Sequence, residues 1–305
     1  MPGINQLNLL TQLKSAGFHA AFLPYNRIET IAKTYEELAG KNGNLTFLKN
    51  TASHFQKNQP PDIPFRPLSF LIIAYPSDPG QIILHVNGKS AAIPIPPTYL
   101  DNPADHRRID EILESAAKGC QTAHSKGISQ KMLAVLSGLG RYGRNNVFYV
   151  NGLGSFFNLK AFYTDIRCDD VSYPLRFLDE CENCGLCRKN CPTGAIGGFP
   201  VIDASKCLTL YNENKDPIPD WILPDAHHAL IGCLRCQEIC PQNKKQKRTI
   251  HTLELDEAES KALLSADSSA ASAALPAELE QKLLSFGIYK FFLPVIGRNA
   301  GLVWK

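Results

Sequence analysis

The sequence has no run of 18 apolar residues free of charge, so no transmembrane helix is expected. Its longest apolar stretch, residues 286–303, is broken by Lys290, Pro294, Arg298 and Asn299. The first 27 residues lack a basic start, a continuous apolar segment and a small-residue cleavage site. No signal peptide is expected from them, and a soluble cytoplasmic protein with no membrane partner is the default. A strong charge of one sign is missing too. A net charge of +3 and a pI near 8.3 are too mild to announce a nucleic-acid partner. Internal repeats are absent apart from the cysteine motifs below. What is there is ordinary globular composition, 44% hydrophobic and 20% charged, which excludes a mostly disordered chain. A chain of 305 residues allows two domains, or one with an appendage, and buries enough surface to need no disulfides.

Cysteine is the informative residue. Cys120 and Cys168 stand alone and suit buried structural positions. The other eight lie between Cys181 and Cys240. An even count permits a disulfide framework, but the chain is large and its spacing follows a metal grammar. Cys181, Cys184, Cys187 and Cys191-Pro192 form C-x2-C-x2-C-x3-C-P, the spacing of bacterial ferredoxins. Cys233, Cys236 and Cys240-Pro241 form a second run, C-x2-C-x3-C-P, and Cys207 precedes it by 26 positions. Zinc would ask for four ligands, usually as two separated pairs. Here there are eight thiols, enough for two 4Fe–4S cubanes. In two-cluster ferredoxins the fourth cysteine of a run reaches across to the other centre. The expected partition is therefore Cys181, Cys184, Cys187 and Cys240 on one cluster, and Cys191, Cys207, Cys233 and Cys236 on the other.

Elsewhere the pattern predicts a mixture of helices and strands. Residues 5–17 read as an amphipathic helix with Leu7, Leu10 and Leu13 on one side, and 30–40 as a second with Ile31, Tyr35 and Leu38. The continuous apolar run 68–75 suggests a strand covered on both faces. Residues 81–86 suggest another, followed by the hairpin signal Asn87-Gly88. Helices are expected at 104–118, 129–136 and 276–285, and strands at 146–150 and 156–163. Residues 244–248 form a basic tract that suits docking of an acidic electron donor. An Ala/Ser-rich stretch, 265–274, reads as a linker or surface loop. His227-His228, just before the second run, are candidates to tune a cluster or simply a surface pair. Tyr75, Tyr99, Tyr142 and Tyr149 are candidates to line a cavity.

A glycine-rich stretch from Ser137 to Asn158 is weak evidence alone. It is not G-x-G-x-x-G, and a tight turn would explain its glycines. Taken with the cysteine order, however, SGLGRYGRN, GSFFN, CPTGAI and GCLRCQEICPQN resemble the epoxyqueuosine reductase family over roughly residues 65–245. That resemblance implies a cobalamin-dependent reductase related to reductive dehalogenases. Its fold would be α+β, with a mixed-sheet cobalamin-binding domain over 1–175 and a ferredoxin-like double-cluster domain over 176–250. A linker and helical tail would follow over 251–305. Two clusters would pass electrons from a flavodoxin or ferredoxin to a base-off cobalamin, which would reduce an organic substrate. Gly140, Tyr142, Gly143, Arg144, Asn145, Ser155 and Phe156 would border the corrin.

The sequence departs from the family in three places. The position of the family's aspartate proton donor is His124, and no aspartate lies between Asp110 and Asp165. Imidazole is a competent acid near neutrality, so His124 is the candidate catalytic residue beside the plainer option of a surface histidine. The family's tryptophan after G-L-G is Arg141. Only 65 residues follow Cys240, short for the family's helical-repeat tail, so a tRNA substrate is held in doubt. Three functions stay open: a corrinoid reductase of another organic substrate, a true epoxyqueuosine reductase, and an electron shuttle without a corrinoid.

Overall fold

The computed structural model describes residues 4–31, 33–34, 62–125, 128–197, 202–246, 248–266 and 275–304. In chain order its first elements are α1 (Ile4–Ser15), β1 (His19–Pro24), β2 (Ser69–Pro76), β3 (Gly80–Val86), β4 (Lys89–Ile95) and α2 (Pro103–Ala116). Next come β5 (Thr122–His124), α3 (Gln130–Leu136), β6 (Arg141–Tyr142), β7 (Phe148–Tyr149) and β8 (Phe157–Thr164). Four short helices carry the cysteine region: α4 (Leu186–Lys189), α5 (Leu208–Glu213), α6 (Arg235–Glu238) and α7 (Pro241–Lys244). The chain closes with β9 (His251–Glu254), α8 (Glu257–Ser265), α9 (Ala277–Ser285) and α10 (Leu293–Val303). Of the helix expected at 30–40, residues 30–31 and 33–34 are helical and the rest lies outside the described residues. Of the Ala/Ser stretch, only Ser265 and Ala266 are described, and Ser265 ends α8.

The chain divides into two compact units. The first takes residues 1–75, 104–141 and 159–176. Its sheet has the order β1-β2-β8-β5. β2 is buried from Ser69 through Tyr75, as a continuous apolar run requires. β1 pairs with it antiparallel, His19 opposite Ala74 and Pro24 opposite Ser69. No strand is predicted there, because His-Ala-Ala gives little alternation. α1 and α2 contribute Leu9, Leu13, Ile109 and Leu113 to one core with Leu71, Ile73, Tyr75 and Phe162 of the sheet. The inward stripe of α1 is thus Leu9 and Leu13, four apart, while the expected Leu7 is 62% exposed. Ser129 caps α3 by accepting from the Met132 N–H.

The second unit takes residues 76–103, 142–158 and 177–305. Asn87 and Gly88 both have positive φ, 50° and 75°, and turn β3 into antiparallel β4. β9 adds in parallel on the other side of β3. Helices α8, α9 and α10 cover this sheet with Leu263, Leu279, Leu283, Val295 and Ile296, packed against Ile82, Leu84, Ile93 and Ile95. The mixed α+β class stands. The compact units break at 176/177, beside the boundary expected at 175, but segments 76–103 and 142–158 join the second unit and no break falls at 250. Main-chain pairing of β9 with β3 places 251–254 beside the 76–103 hairpin, and α8, α9 and α10 supply core residues to the same unit rather than forming an appendage.

α10 lies so close to α8 that Gly297 has no room for a side chain. A Cβ there would collide with the Ala266 carbonyl and stand 2.8 Å from that of Leu263. Gly301, one turn on, has nothing within 4 Å. Gly297→Ala should lower unfolding stability by about 3 kcal/mol, the upper part of the usual overpacking cost. Gly301→Ala should raise it by about 0.5 kcal/mol through reduced chain entropy. Denaturant unfolding of both variants checks the pair.

Candidate metal centre

The cysteine loops are short, and among the described residues they carry a small apolar cluster, Leu208, Ile222 and Ala226. Hydrogen bonds do the positioning. Cys181 ends a 3-10 turn whose Leu178 N–H donates to the Tyr142 carbonyl at 2.9 Å. Cys187 sits in the single turn of α4, and Cys191 follows directly after Asn190 ends it. Asn190 Nδ2 donates to the Arg235 carbonyl at 2.8 Å, tying the first run to the second. Cys207 and Cys240 are the N-cap residues of α5 and α7, and Cys236 lies in α6. Asn212 Nδ2 holds the Gly232 carbonyl at 2.9 Å, one residue before Cys233. Asn299 of α10 donates to both Asn212 O and Leu230 O at 2.8 Å.

All ten cysteines are free thiols, so the disulfide alternative falls. Cys120 and Cys168 are half-buried against the core of the first unit, and burial pushes the Cys168 thiol up to about 11. Among the other eight, burial and neighbouring thiols act together on several. Burial first, then Cys240 and Cys184, raises Cys181. Burial, Cys181, Cys240 and Cys184 raise Cys187. Burial pushes Cys233 up to about 12, with Cys207 and Cys191 adding to it. Burial, then Cys233 and Cys207, also raises Cys236, which feels Cys187 more weakly. Cys191 moves the other way. Burial raises it, but the N–H groups of Thr193, Ala195 and Ile196 and the Thr193 hydroxyl outweigh that and bring it below the ordinary thiol value. Among the described residues, no three His, Cys, Asp or Glu side chains converge as one metal ion requires. A cubane makes a different demand: each thiolate meets its own corner iron, so the thiols stand apart.

The residues assigned to a corrin do something else here. The Arg144 guanidinium donates to the carbonyls of Cys181 at 2.8 Å and Glu182 at 3.2 Å, and its backbone N–H reaches Cys181 Sγ at 3.4 Å. Asn145, 5% exposed, donates to the Tyr149 hydroxyl at 2.9 Å and the Cys236 carbonyl at 3.4 Å. Asn243 Oδ1 accepts from Ser155 N–H at 2.7 Å, and its Nδ2 donates to Ser155 Oγ and the Gln237 carbonyl, both at 2.8 Å. Ser155 Oγ donates on to Gln237 Oε1 at 2.8 Å. Gly154 is glycine for this reason: its φ is +64°, and a Cβ would strike Asn243 Oδ1. The buried Phe156 ring lies under the Arg248 guanidinium at 5.0 Å. Tyr142 packs edge-on to Phe148, and the Gly143 N–H donates to Val147 O at 2.8 Å. Gly140 is half-buried in the first unit. The side-chain donors of Arg144 and Asn145 and both donors of Ser155 are thus engaged with the cysteine loops and their neighbours.

Other expectations are redistributed. His124 ends β5, exposed, its ring 4.6 Å from that of Phe162. It lines a cleft of about 410 Å3 with Asp110, Glu114, Lys118 and Cys120. His227 and His228 are not a surface pair. His227 is buried. His228 contacts the Ala226 carbonyl through Nδ1 and receives the Leu234 N–H at Nε2, both at 3.2 Å, a neutral imidazole bracing the second run. Burial, aided by the Arg235 charge, holds it below the usual imidazole value. In the basic tract Lys244 and Lys245 are exposed and Lys247 lies outside the described residues. Arg248 is not a docking charge. It donates to the Leu153 and Phe156 carbonyls and faces Asp78 at 3.9 Å. Tyr75 meets His106 Nε2 at 3.0 Å, and Tyr99 donates to Glu213. The bracing asparagines 190, 212, 243 and 299 are not read from the sequence. Only Asn243 carries a signal, its place in C-P-x-N after Cys240.

Two CP-ended thiol runs joined by Cys207 define a double-cluster protein, and residues 180–243 match the 4Fe-4S double cluster binding domain. The particular likeness is to epoxyqueuosine reductase, in sequence and in fold. The enzyme of Francisella cf. novicida is 33% identical over 120 residues, 39% of this chain and 33% of that one. That of Escherichia coli K12 is 34% identical over 126 residues, 41% and 32% of the two chains. In sequence, the match thus spans about a third of these relatives' length. The solved Bacillus subtilis enzyme superposes with a TM-score of 0.65 at 19% identity, over 99% of this chain and 82% of that one. An epoxyqueuosine reductase solved with an epoxyqueuosine-modified tRNA-Tyr stem loop gives 0.66 at 19%, over 99% and 81%. No helix of the described residues is long and apolar enough to cross a membrane.

Removing the Asn243 amide strands the Ser155 N–H and the groups around Gln237 in a buried site. Asn243→Ala should cost about 3 kcal/mol, and Ser155→Ala about 1 kcal/mol. Thermal unfolding measures both, and iron–sulfur absorbance in the Asn243 variant should be lost at a lower temperature than in the parent.

Proposed function

We propose that this chain is an oxidoreductase of the epoxyqueuosine reductase type, with two 4Fe–4S clusters as its electron store and epoxyqueuosine in tRNA as its substrate. The observation that carries this is that all eight cysteines of the two runs and Cys207 fall within residues 180–243, which match the 4Fe-4S double cluster binding domain. Cys181, Cys184, Cys187 and Cys240 would hold one cluster, and Cys191, Cys207, Cys233 and Cys236 the other. The donor set fits: all-thiolate sites select iron–sulfur clusters over hard cations. The stoichiometry fits as well. Removing an epoxide oxygen as water takes two electrons and two protons, and each cluster carries one electron. The solved relative bound to a modified tRNA stem loop supports tRNA over the free organic substrate favoured by the sequence departures.

A corrinoid, when bound, would supply the cobalt chemistry of the reduction. Gly140, Tyr142, Gly143 and Phe156 would border it, while Arg144, Asn145 and Ser155 hold the cysteine loops beside them. His124 is the proposed proton donor, exposed at the end of β5 in a cleft lined with polar side chains.

Anaerobically prepared protein should contain about eight irons per chain, and Cys207→Ala with Cys233→Ala about four. Well under eight irons in the parent would refute the two-cluster assignment. The parent gene should restore queuosine in a strain lacking its reductase, and failure to do so would refute the substrate. His124→Gln should lower kcat about 100-fold with iron content unchanged, the usual scale for a lost general acid. Unchanged kcat would remove His124 from the mechanism.

A further inference from the structure

Three chain segments leave the sheet of the first unit at one end, and hydrogen bonds hold them together. β1 runs into a 3-10 turn, Tyr25–Arg27, whose Tyr25 N–H donates to the Leu68 carbonyl at 3.0 Å. The Leu68 N–H donates in turn to the carbonyl of Thr164, the last residue of β8, at 2.8 Å. Ser69 Oγ donates to the Ile166 carbonyl at 2.7 Å, which fixes the chain just before Arg167. Between the segments lies a cavity of about 620 Å3, lined by Tyr25, Asn26, Phe65, Arg66, Arg167 and Asp170, with Cys168, prolines and aliphatic side chains among them. Tyr25 is half-buried, and its ring is held by those of Phe70 at 5.5 Å and Tyr163 at 6.2 Å. The charges around the cavity are unequal. Asp170 is the carboxylate that lines it among the described residues, and the Arg27 guanidinium pairs with that group at 2.7 Å. Arg66 and Arg167 are exposed and make no ion pair or hydrogen bond of their own among the described residues.

From this arrangement we infer that the cavity is a nucleotide site, with the phosphate on Arg66 and Arg167 and the base against the Tyr25 and Phe65 rings. The inference depends neither on the cluster assignment nor on the substrate proposed above. A guanidinium is a planar fork of donors that matches phosphate oxygens, and here two of them have no carboxylate to answer. A bare phosphate would use the arginines and leave most of the space unfilled. The volume lies within the range of about 300–1,000 Å3 that suits ligands of nucleotide size. An aliphatic anion would fill the space without using the rings, whereas every base has a face that stacks on an aromatic side chain. Because Phe70 and Tyr163 already hold Tyr25, stacking there costs little rotamer freedom. Asn26 adds an amide with both donors and an acceptor for a base edge. The same chemistry serves a free nucleotide and a nucleotide within an RNA strand.

The test uses the full chain, prepared anaerobically, in calorimetric titrations with AMP, adenosine, inorganic phosphate and a single-stranded oligoribonucleotide. AMP should bind saturably, and adenosine and phosphate each about tenfold more weakly, since each lacks one half of the contacts. Arg66→Gln and Arg167→Gln should each weaken AMP about tenfold with iron content unchanged, the scale of one lost hydrogen bond to a charged group. Phe65→Leu should weaken AMP about tenfold and leave phosphate binding alone, the scale of one stacked base. The strand separates the two sources. Tighter binding than AMP, with a salt slope that falls by about 0.7 in the double arginine variant, supports a nucleotide within RNA. Binding no tighter than AMP supports a free nucleotide. Absence of saturable binding by both AMP and the strand would overturn the inference. So would adenosine or phosphate that binds as well as AMP, or an AMP affinity that neither arginine substitution moves. Should a variant fail to fold, photocrosslinking of an azido derivative of AMP to the parent decides. Label on the peptides carrying Tyr25 or Phe65 supports the site, and label elsewhere overturns it.

Discussion

Thiols must stand at fixed separations to grip a cluster, yet the segments that carry them are too short to fix themselves. α4, α6 and α7 have four residues each, one turn of helix apiece. A single turn closes almost no internal hydrogen bonds and has little stability of its own. The structure meets the need with side-chain amides. Asn145, Asn190, Asn212, Asn243 and Asn299 each donate to a backbone carbonyl in or beside a cysteine loop. An asparagine amide suits this work because it offers two donors and an acceptor on a short, stiff stem. Buried away from water, each bond is also costly to leave unmade.

Those bonds explain which parts of the molecule were legible beforehand. The cysteine runs declare themselves because cluster ligation writes a short-range rule of residue type and spacing. β2 is visible because a buried strand has an unbroken apolar run, and the β3–β4 hairpin because Asn-Gly can adopt two positive φ angles cheaply. The amide braces obey no such local rule. Asn145 and Cys236 are 91 positions apart, and Asn299 and Asn212 are 87. Nothing near Asn299 in the sequence marks it as different from any polar residue on an amphipathic helix. The same holds for β9, four residues with one half-buried side chain, whose place is set by the partner strand β3.

The glycine-rich stretch is hard to read from sequence for a related reason. Its glycines and donors suggest a cradle for a large ligand, and a cradle for protein loops uses the same residue types. Gly143 gives space to Tyr149 and Asn145, and Gly154 to Asn243. Ser155 and Arg144 spend their donors on Asn243, Gln237, Cys181 and Glu182. Sequence specifies that a backbone comes close to something polar there. Only the fold specifies that the something is the cysteine region, brought into the same unit with the 142–158 segment.

Electrostatics then distinguish the two thiol groups. Burial, with neighbouring thiols adding to it, raises Cys181, Cys207 and Cys233, which favours their protonated form in the metal-free molecule, so filling the sites must release protons. Cys191 departs from that pattern because Thr193, Ala195 and Ile196 aim N–H groups at it, within the same C-P-T-G-A-I segment. Cys181 takes a donor instead from a turn 37 positions away in sequence, the Arg144 N–H at 3.4 Å. One thiol therefore has its donors built into its own loop, and the other borrows one. A borrowed donor can be altered without rebuilding the ligand loop, so a change in the β6–β7 turn reaches the surroundings of Cys181 while its own run stays as it is.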